Sequence, residues 1–315
     1  MISRRQFVGA AAALAAVPAA TAGAQTSPVI EVATGTTDSS AVLLYAYDLG
    51  LYKNAGLNVH LNIVTGTSNI IPGAVSGAYH IGSANIGSFA VAKDRNIPIH
   101  LIAACGVYAP TSPTALLLVP TDSTAKVAAD LNGKTIAVNG LRADISMFET
   151  QSYLDKNGAD SKSMKYLEVP FPEMPIALAA HRVDCAFVIE PFLTSAKRNA
   201  RVFADPSTGI APRFQTSAVF ATDVWLKANP DAARRFAAAI RQAAVWANGH
   251  HKESGEILIR YAKLDPEIAR TMQRQEYGLN LEPAMIQPVL DAAARYGVIR
   301  TPMSAADIIW SGDAR

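Results

Sequence analysis

Between Gly133 and Phe192 the chain alternates strand, polar turn and helix, and no other stretch restricts the fold so tightly. An apolar strand within Gly133 to Gly140 stops abruptly in small polar residues. A helix is expected from about Asp144 to Lys156, ended by Asn157 and Gly158. A second strand, Lys165 to Val169, breaks at the proline-rich turn that begins with Pro170. A further helix, Ile176 to His181, feeds a third strand, Asp184 to Ile189, which ends at Glu190, Pro191 and Phe192. This βαβαβ order implies an α/β fold with a parallel sheet. Ligands in such sheets sit at the carboxyl ends of the strands. Three turns are therefore expected to converge on one edge: Asn139 to Asp144, Phe171 to Met174, and Glu190 to Phe192.

A second alternating series begins at Val29. The strand Val29 to Thr34 runs into a polar turn rich in N-cap residues, and a helix is expected from Ser40 to Lys53. Strands follow at Leu57 to Val64, His80 to Ser83 and Ile99 to Ala104, separated by short helices. Ala115 to Val119 reads as a strand leaving this first lobe, and Ser217 to Thr222 as the strand leading back. From Asn229 to Trp310 the pattern is helical, with Phe236, Ala237, Ile240, Ala244 and Ala247 forming an apolar stripe. At 315 residues, two domains are expected. Residues 25–119 and 216–315 form the first lobe and residues 120–215 an inserted second lobe. Two crossings between lobes suit closure around a small ligand.

Residues 1–24 read as an export signal. Arg4 and Arg5 precede a short apolar run, and Ala22, Gly23 and Ala24 offer a cleavage site. The paired arginines favour the twin-arginine route over the Sec route. No cysteine follows the cleavage site, so a lipid anchor has no attachment point there, and a periplasmic location is expected. Removal of two arginines leaves 28 − 2 = 26 basic residues against 26 acidic ones. A mature chain so near neutrality argues against nucleic acid or an anionic membrane as partner. With half the residues apolar and 17% charged, the chain is no disordered polymer. Cys105 and Cys185 each lie in an apolar strand of a different lobe and read as buried small hydrophobes rather than a disulfide.

The chain resembles the periplasmic solute-binding proteins of ABC importers, in the nitrate, sulfonate, taurine and thiamine-pyrimidine-precursor branch. The stretches that carry the resemblance are Asp48 to Val59, Ala74 to Gly82, Leu131 to Val138, Val169 to Leu178 and Val183 to Phe192. It implies the type II periplasmic-binding-protein fold, two lobes with a ligand cleft between them. It also implies capture of a small molecule by a monomer and delivery to a membrane permease. The ligands of this branch span inorganic oxyanions, sulfonates, pyrimidines and aromatic acids, so its chemistry must come from the turns.

In the first lobe, Thr36, Thr37 and Asp38, then Thr67 and Ser68, then Asn85 and Ser88, offer hydroxyls, amides and helix N-termini. Each can equally serve as a helix cap. In the second lobe, Asn139, Arg142, Asp144 and Glu173 line the expected edge; Arg142 can clamp an acidic group or pair with Asp144. Glu190 can accept from a ligand N–H or from backbone at the crossing. Tyr108, Phe171 and Phe192 can supply aromatic walls. Asp38 and Glu190 would repel a small inorganic anion, so the expected ligand is organic: a sulfonate, an aromatic acid or a pyrimidine.

Catalytic signals are weak. Ser123 to Lys126 matches S-x-x-K without its partner motifs, and Gly133-Lys134-Thr135 lacks the first glycine of a phosphate-binding loop. His250 and His251 read as a solvated helix end, and no cofactor or metal is expected. The enzyme alternative is the related pyrimidine-precursor synthases, which use a histidine and a cysteine-rich iron motif that this chain lacks. A sensory protein presenting its closed form to a receptor is the other alternative.

Overall fold

A computed structural model describes residues 28–64, 67–141 and 144–312. The expected export signal and Arg142 lie outside the described residues.

Following the chain, β1 (Val29–Thr34), β2 (Asn58–Ile63), β3 (Ile81–Asn85) and β4 (Ile99–Ala104) build a first sheet, and β5 (Gly106–Tyr108) leaves it. A second sheet is made of β6 (Ala115–Pro120), β7 (Thr135–Val138), β8 (Lys165–Glu168), β9 (Cys185–Ile189) and β10 (Ala200–Ala204). The return path is β11 (Phe214–Gln215), β12 (Ser217–Thr222) and β13 (Glu276–Tyr277). The strand orders are β2-β1-β3-β12-β4, β10-β6-β9-β7-β8 and, for a small third sheet, β11-β5-β13.

The expected parallel units are present. In the first sheet β1 pairs in parallel with β2 and β3; in the second, β7 pairs in parallel with β8 and β9. Both sheets are nevertheless mixed, because β12 runs antiparallel between β3 and β4, and β6 runs antiparallel beside β9 and β10. Strand β6, read from sequence as the last strand of the first lobe, is thus a member of the second sheet. The second sheet takes up the chain before residue 120.

Two further readings are corrected. The helix expected from Ser40 to Lys53 is broken into a turn at Asp38–Ser40 and helices Val42–Asp48 and Leu51–Asn54. Gly50 at φ +68° makes the break, a left-handed geometry that glycine adopts without strain. The helical stretch after Asn229 also contains β13, whose two residues carry too little pattern to be seen.

Helices cover both faces of each sheet. On one face of the first sheet, Val42–Asp48 and Pro230–Gly249 bury Tyr45, Phe236, Ile240 and Ala244. On the other, Ile86–Asp94 and Pro283–Arg295 bury Phe89, Ile286 and Leu290. Each such side chain contributes about 1.5–3 kcal/mol on burial, which sets the core rather than surface ion pairs as the main support. Strand β9 is apolar and buried over four of its five residues, as a strand covered on both faces must be. Cys105 and Cys185 are free, buried thiols.

Candidate functional site

Two helix N-termini meet between the sheets. The strand β3 ends at Asn85, whose Oδ1 accepts from Ser88 N at 2.8 Å and caps the helix Ile86–Asp94. The turn after β7 ends at Asp144, whose Oδ1 accepts from Ser146 N at 2.9 Å and caps the helix Ile145–Lys156. Both residues are good caps because a short side-chain acceptor reaches the free N–H groups of the first turn. The caps also touch: Asn85 Nδ2 donates to Asp144 Oδ2 at 3.1 Å, and Asn139 Nδ2 donates to the same oxygen at 3.1 Å.

Around this contact lies a cavity of about 900 Å³ of empty space, open solvent at its mouth included. The first sheet and its return strand supply Thr37, Asp38, Thr67, Asn85, Thr216 and Ser217 to its wall. The second sheet supplies Asn139, Asp144, Phe171, Phe187, Ile189 and Glu190. Tyr108 and Thr114 reach it from the outgoing crossing, and Ser207 from the incoming one. The turns at the carboxyl ends of β7 and β9, and Phe171 beyond β8, all face this space, as the parallel order requires.

Of the residues expected at the site, nine line the cavity: Thr37, Asp38, Thr67, Asn85 and Tyr108 on one side, and Asn139, Asp144, Phe171 and Glu190 on the other. Thr36 and Ser68 stand in neighbouring turns but not in the wall, and Ser88 is in the first turn of the helix that Asn85 caps. Glu173 is exposed, and Phe192 packs against the core of the second sheet.

Asp38 is a structural anion. It is 1% exposed, and its oxygens accept from Arg274 Nε at 3.2 Å, Arg274 Nη2 at 2.9 Å and Gln275 N at 2.6 Å. Tyr45 and Tyr277 hydroxyls donate to it as well, at 3.2 and 3.1 Å. A charge so buried persists only when paired and hydrogen-bonded, and this one is both. Thr37 is held in its own turn by Ser39 and Ser40 hydroxyls.

Glu190 ties the crossings together. Its Oε2 accepts from Thr194 N at 3.1 Å, and its Oε1 from Thr194 Oγ1 at 2.9 Å and Gln273 N at 3.3 Å. Gln273 precedes β13, so a carboxylate at the end of β9 in the second sheet grips the segment that leads into the small third sheet. Thr114 Oγ1 donates to Gln275 Oε1 at 2.9 Å in the same region. Burial nonetheless holds the Glu190 carboxyl above its usual range.

Several wall residues escaped the sequence reading. Glu149 is 2% exposed, on the buried face of the helix that Asp144 caps. Burial, then the nearby Asp205 and Asp144 charges, push its carboxyl well above the ordinary range, while the Ser207 hydroxyl, donating to Oε2 at 3.3 Å, opposes this. Asp205 accepts from Tyr108 OH at 2.8 Å and Ser207 N at 3.1 Å, and burial raises it too. The signal for Glu149 was its spacing: it lies four residues after Ile145, on the apolar side of the helix. Ser207, Thr216 and Gln275 lie in connections, where no periodicity marks them.

The turn Pro206–Gly209 reaches Glu149 because Gly209 lies against the helix backbone. A Cβ there would come within 2.4 Å of Tyr153 N, and Ser152 Oγ donates to Gly209 O at 2.7 Å. Glycine is required by that approach.

His250 ends the helix Pro230–Gly249, with Nδ1 2.7 Å from Trp246 O and its ring stacked on Trp246. No group of three metal-ligating side chains occurs among the described residues, and no described helix is long and apolar enough to cross a membrane.

The family model described as NMT1/THI5 like matches residues 37–254. No curated protein matches the chain in sequence. Among solved structures, it is similar to the alkanesulfonate-binding protein SsuA of Xanthomonas axonopodis pv. citri bound to MOPS. The TM-score is 0.75 at 18% identity, over 90% of this chain and 99% of that one. The periplasmic aliphatic sulphonate binding protein SsuA of Escherichia coli gives a TM-score of 0.74 at 15% identity, over 92% and 94%. The periplasmic nitrate-binding protein NrtA of Synechocystis PCC 6803 gives 0.75 at 14%, over 91% and 87%. At these identities the likeness is one of fold: two sheet-based lobes, as expected from the alternating series.

Proposed function

The chain belongs to the NMT1/THI5-like family, and from that premise we propose that it is an extracytoplasmic solute-binding protein, not an enzyme. It captures a small organic molecule by closure of two lobes and delivers it to the membrane permease of an ABC importer. The observation that carries this reading is the cavity: strand-end turns of both sheets wall one space, and two chain crossings join the lobes beside it. The structural neighbours named as sulfonate-binding and nitrate-binding proteins, two of them periplasmic, support this reading. Contacts that exist only with both lobes engaged shift the open–closed equilibrium, and the closed form is what a permease recognises. The export signal read at residues 1–24, with cleavage near Ala24, supports a periplasmic location for a mature monomer.

The test is a thermal-shift screen of protein freed of carried-over ligand by unfolding and refolding. The panel holds sulfonates, aromatic acids, pyrimidines, organic amines, nitrate and bicarbonate. A ligand at 100 times its Kd adds about 2.7 kcal/mol of stability, well within the range of the assay. One chemical class should raise the melting temperature. No shift with any member contradicts the reading.

A further inference from the structure

The cavity wall has an uneven charge. Among its described residues are Asp38, Asp144, Glu149 and Glu190, and no lysine, arginine or histidine. Three of the four acids are matched from within the protein: Asp38 by Arg274, Asp144 by Asn85, Asn139 and Ser146, and Glu190 by Thr194 and Gln273. Glu149 is not. Ser207 is its one donor, to Oε2, and Oε1 has none among the described residues. The side chain is nonetheless 2% exposed and faces the cavity. A second, independent group is also unmatched: Thr216 Oγ1, in the opposite wall, is buried and without a hydrogen-bond partner. Buried polar groups are nearly always satisfied, so the buried, unpartnered Thr216 hydroxyl marks a place for a ligand's polar atom, and Glu149 Oε1 on the cavity wall is left to accept from another. Between them the wall is apolar, formed by Ile145, Phe171, Phe187 and Ile189.

Resting on the solute-binding reading above, we propose that the ligand is an organic cation, a compact apolar body bearing one protonated nitrogen that donates to Glu149 Oε1. The Thr216 hydroxyl takes a polar atom at the far end. The proton balance follows. Without ligand, burial and the facing Asp205 and Asp144 charges favour the protonated form of Glu149, with Tyr108 bound to Asp205 beside it. A cation that enters makes the carboxylate the favoured form, and the carboxyl proton is released to solvent as the pair forms. A sulfonate or carboxylate at the same place would face the Asp205 and Asp144 charges with no fixed cation among the described wall residues.

The experiment measures binding of benzylamine, benzamidine and cyclohexylamine at pH 7, with benzenesulfonate and benzyl alcohol as anionic and neutral counterparts. Titration calorimetry in buffers of different ionisation enthalpy counts the protons released. At least one amine should bind at least tenfold more tightly than both counterparts, with proton release. Glu149→Gln should lose at least tenfold of that affinity and the release together, its own melting temperature confirming that it is folded. Preference for benzenesulfonate or benzyl alcohol, or amine binding unchanged in Glu149→Gln, overturns the cation assignment and leaves the solute-binding reading standing. Failure of all five probes, while another class in the screen binds, overturns it in the same way. Failure of every compound in both experiments overturns both.

Discussion

Asn85 and Asp144 each cap a helix with one side-chain atom and hold each other with another, so that two helix N-termini of different sheets are joined across the cleft. The bond couples local helix stability to the relative position of the lobes. Either residue replaced by Ala should cost about 1 kcal/mol through loss of its cap. The two losses should also fail to add, by about 0.5 kcal/mol or more, because the shared bond disappears in either variant. Urea denaturation of the two single variants and the double variant checks this; strict additivity would mean that the contact contributes nothing.

The Asp38–Arg274 pair should behave as a support of the fold rather than a ligand contact. Removing one partner leaves the other charged and buried. Asp38→Ala and Arg274→Ala are each expected to lose about 3–5 kcal/mol. The readout is the urea midpoint at unchanged slope. A loss below about 1 kcal/mol would return Asp38 to the list of residues free to meet a ligand.

The acids of the cleft give the empty protein a defined pH dependence. The folded-state pKa of Glu149 lies above its unfolded value, so its contribution is fully present below the unfolded pKa, near 4.5, and is lost as pH rises through the folded pKa. Glu190 and Asp205 act in the same direction. Wild-type and Glu149→Gln proteins should therefore be similarly stable near pH 4. At pH 8 the variant should be the more stable, by more than about 1 kcal/mol. Denaturation curves at both pH values decide it, and parallel pH profiles would contradict the buried carboxyl.

Gly209 sets how closely the incoming crossing approaches the helix that carries Glu149. Gly209→Ala forces a methyl against the Tyr153 backbone, an overpacking that costs about 1–3 kcal/mol. It should also weaken ligand binding, by moving Ser207 off Glu149. Gly133→Ala, at a glycine with open space around its Cβ but φ +75°, serves as the comparison: strain there should leave binding unaltered.

Much of the fold was legible because the strands and helices of both lobes are marked by hydrophobic periodicity and capping residues. Asp144 before Ile145–Lys156 shows both signals, and the structure starts the helix one residue later. The insertion of β12 between β3 and β4 was not legible, since pairing between distant strands leaves no local mark. The site divided along the same line. Turn residues at strand ends could be placed in the cleft, but their duties there could not. Asp38 finds its partner Arg274 236 residues later, and nothing near Asp38 reveals that its charge is already neutralised. Glu149 went unseen for the opposite reason: a glutamate inside an amphipathic helix reads as a solvated residue until the packing of Pro206–Gly209 buries it.

Closure of the two lobes on a small ligand should shorten the distance between them. Both native cysteines are buried and burial raises their thiols, so spin labels can be directed to Ser68→Cys and Glu173→Cys at exposed positions of the two lobes. Pulsed electron resonance would be recorded on ligand-free protein and again with a saturating amount of whichever compound stabilises it in the screen. A broad or long distance distribution should collapse to a single shorter distance with ligand. A distribution unchanged by a compound that demonstrably binds would contradict closure.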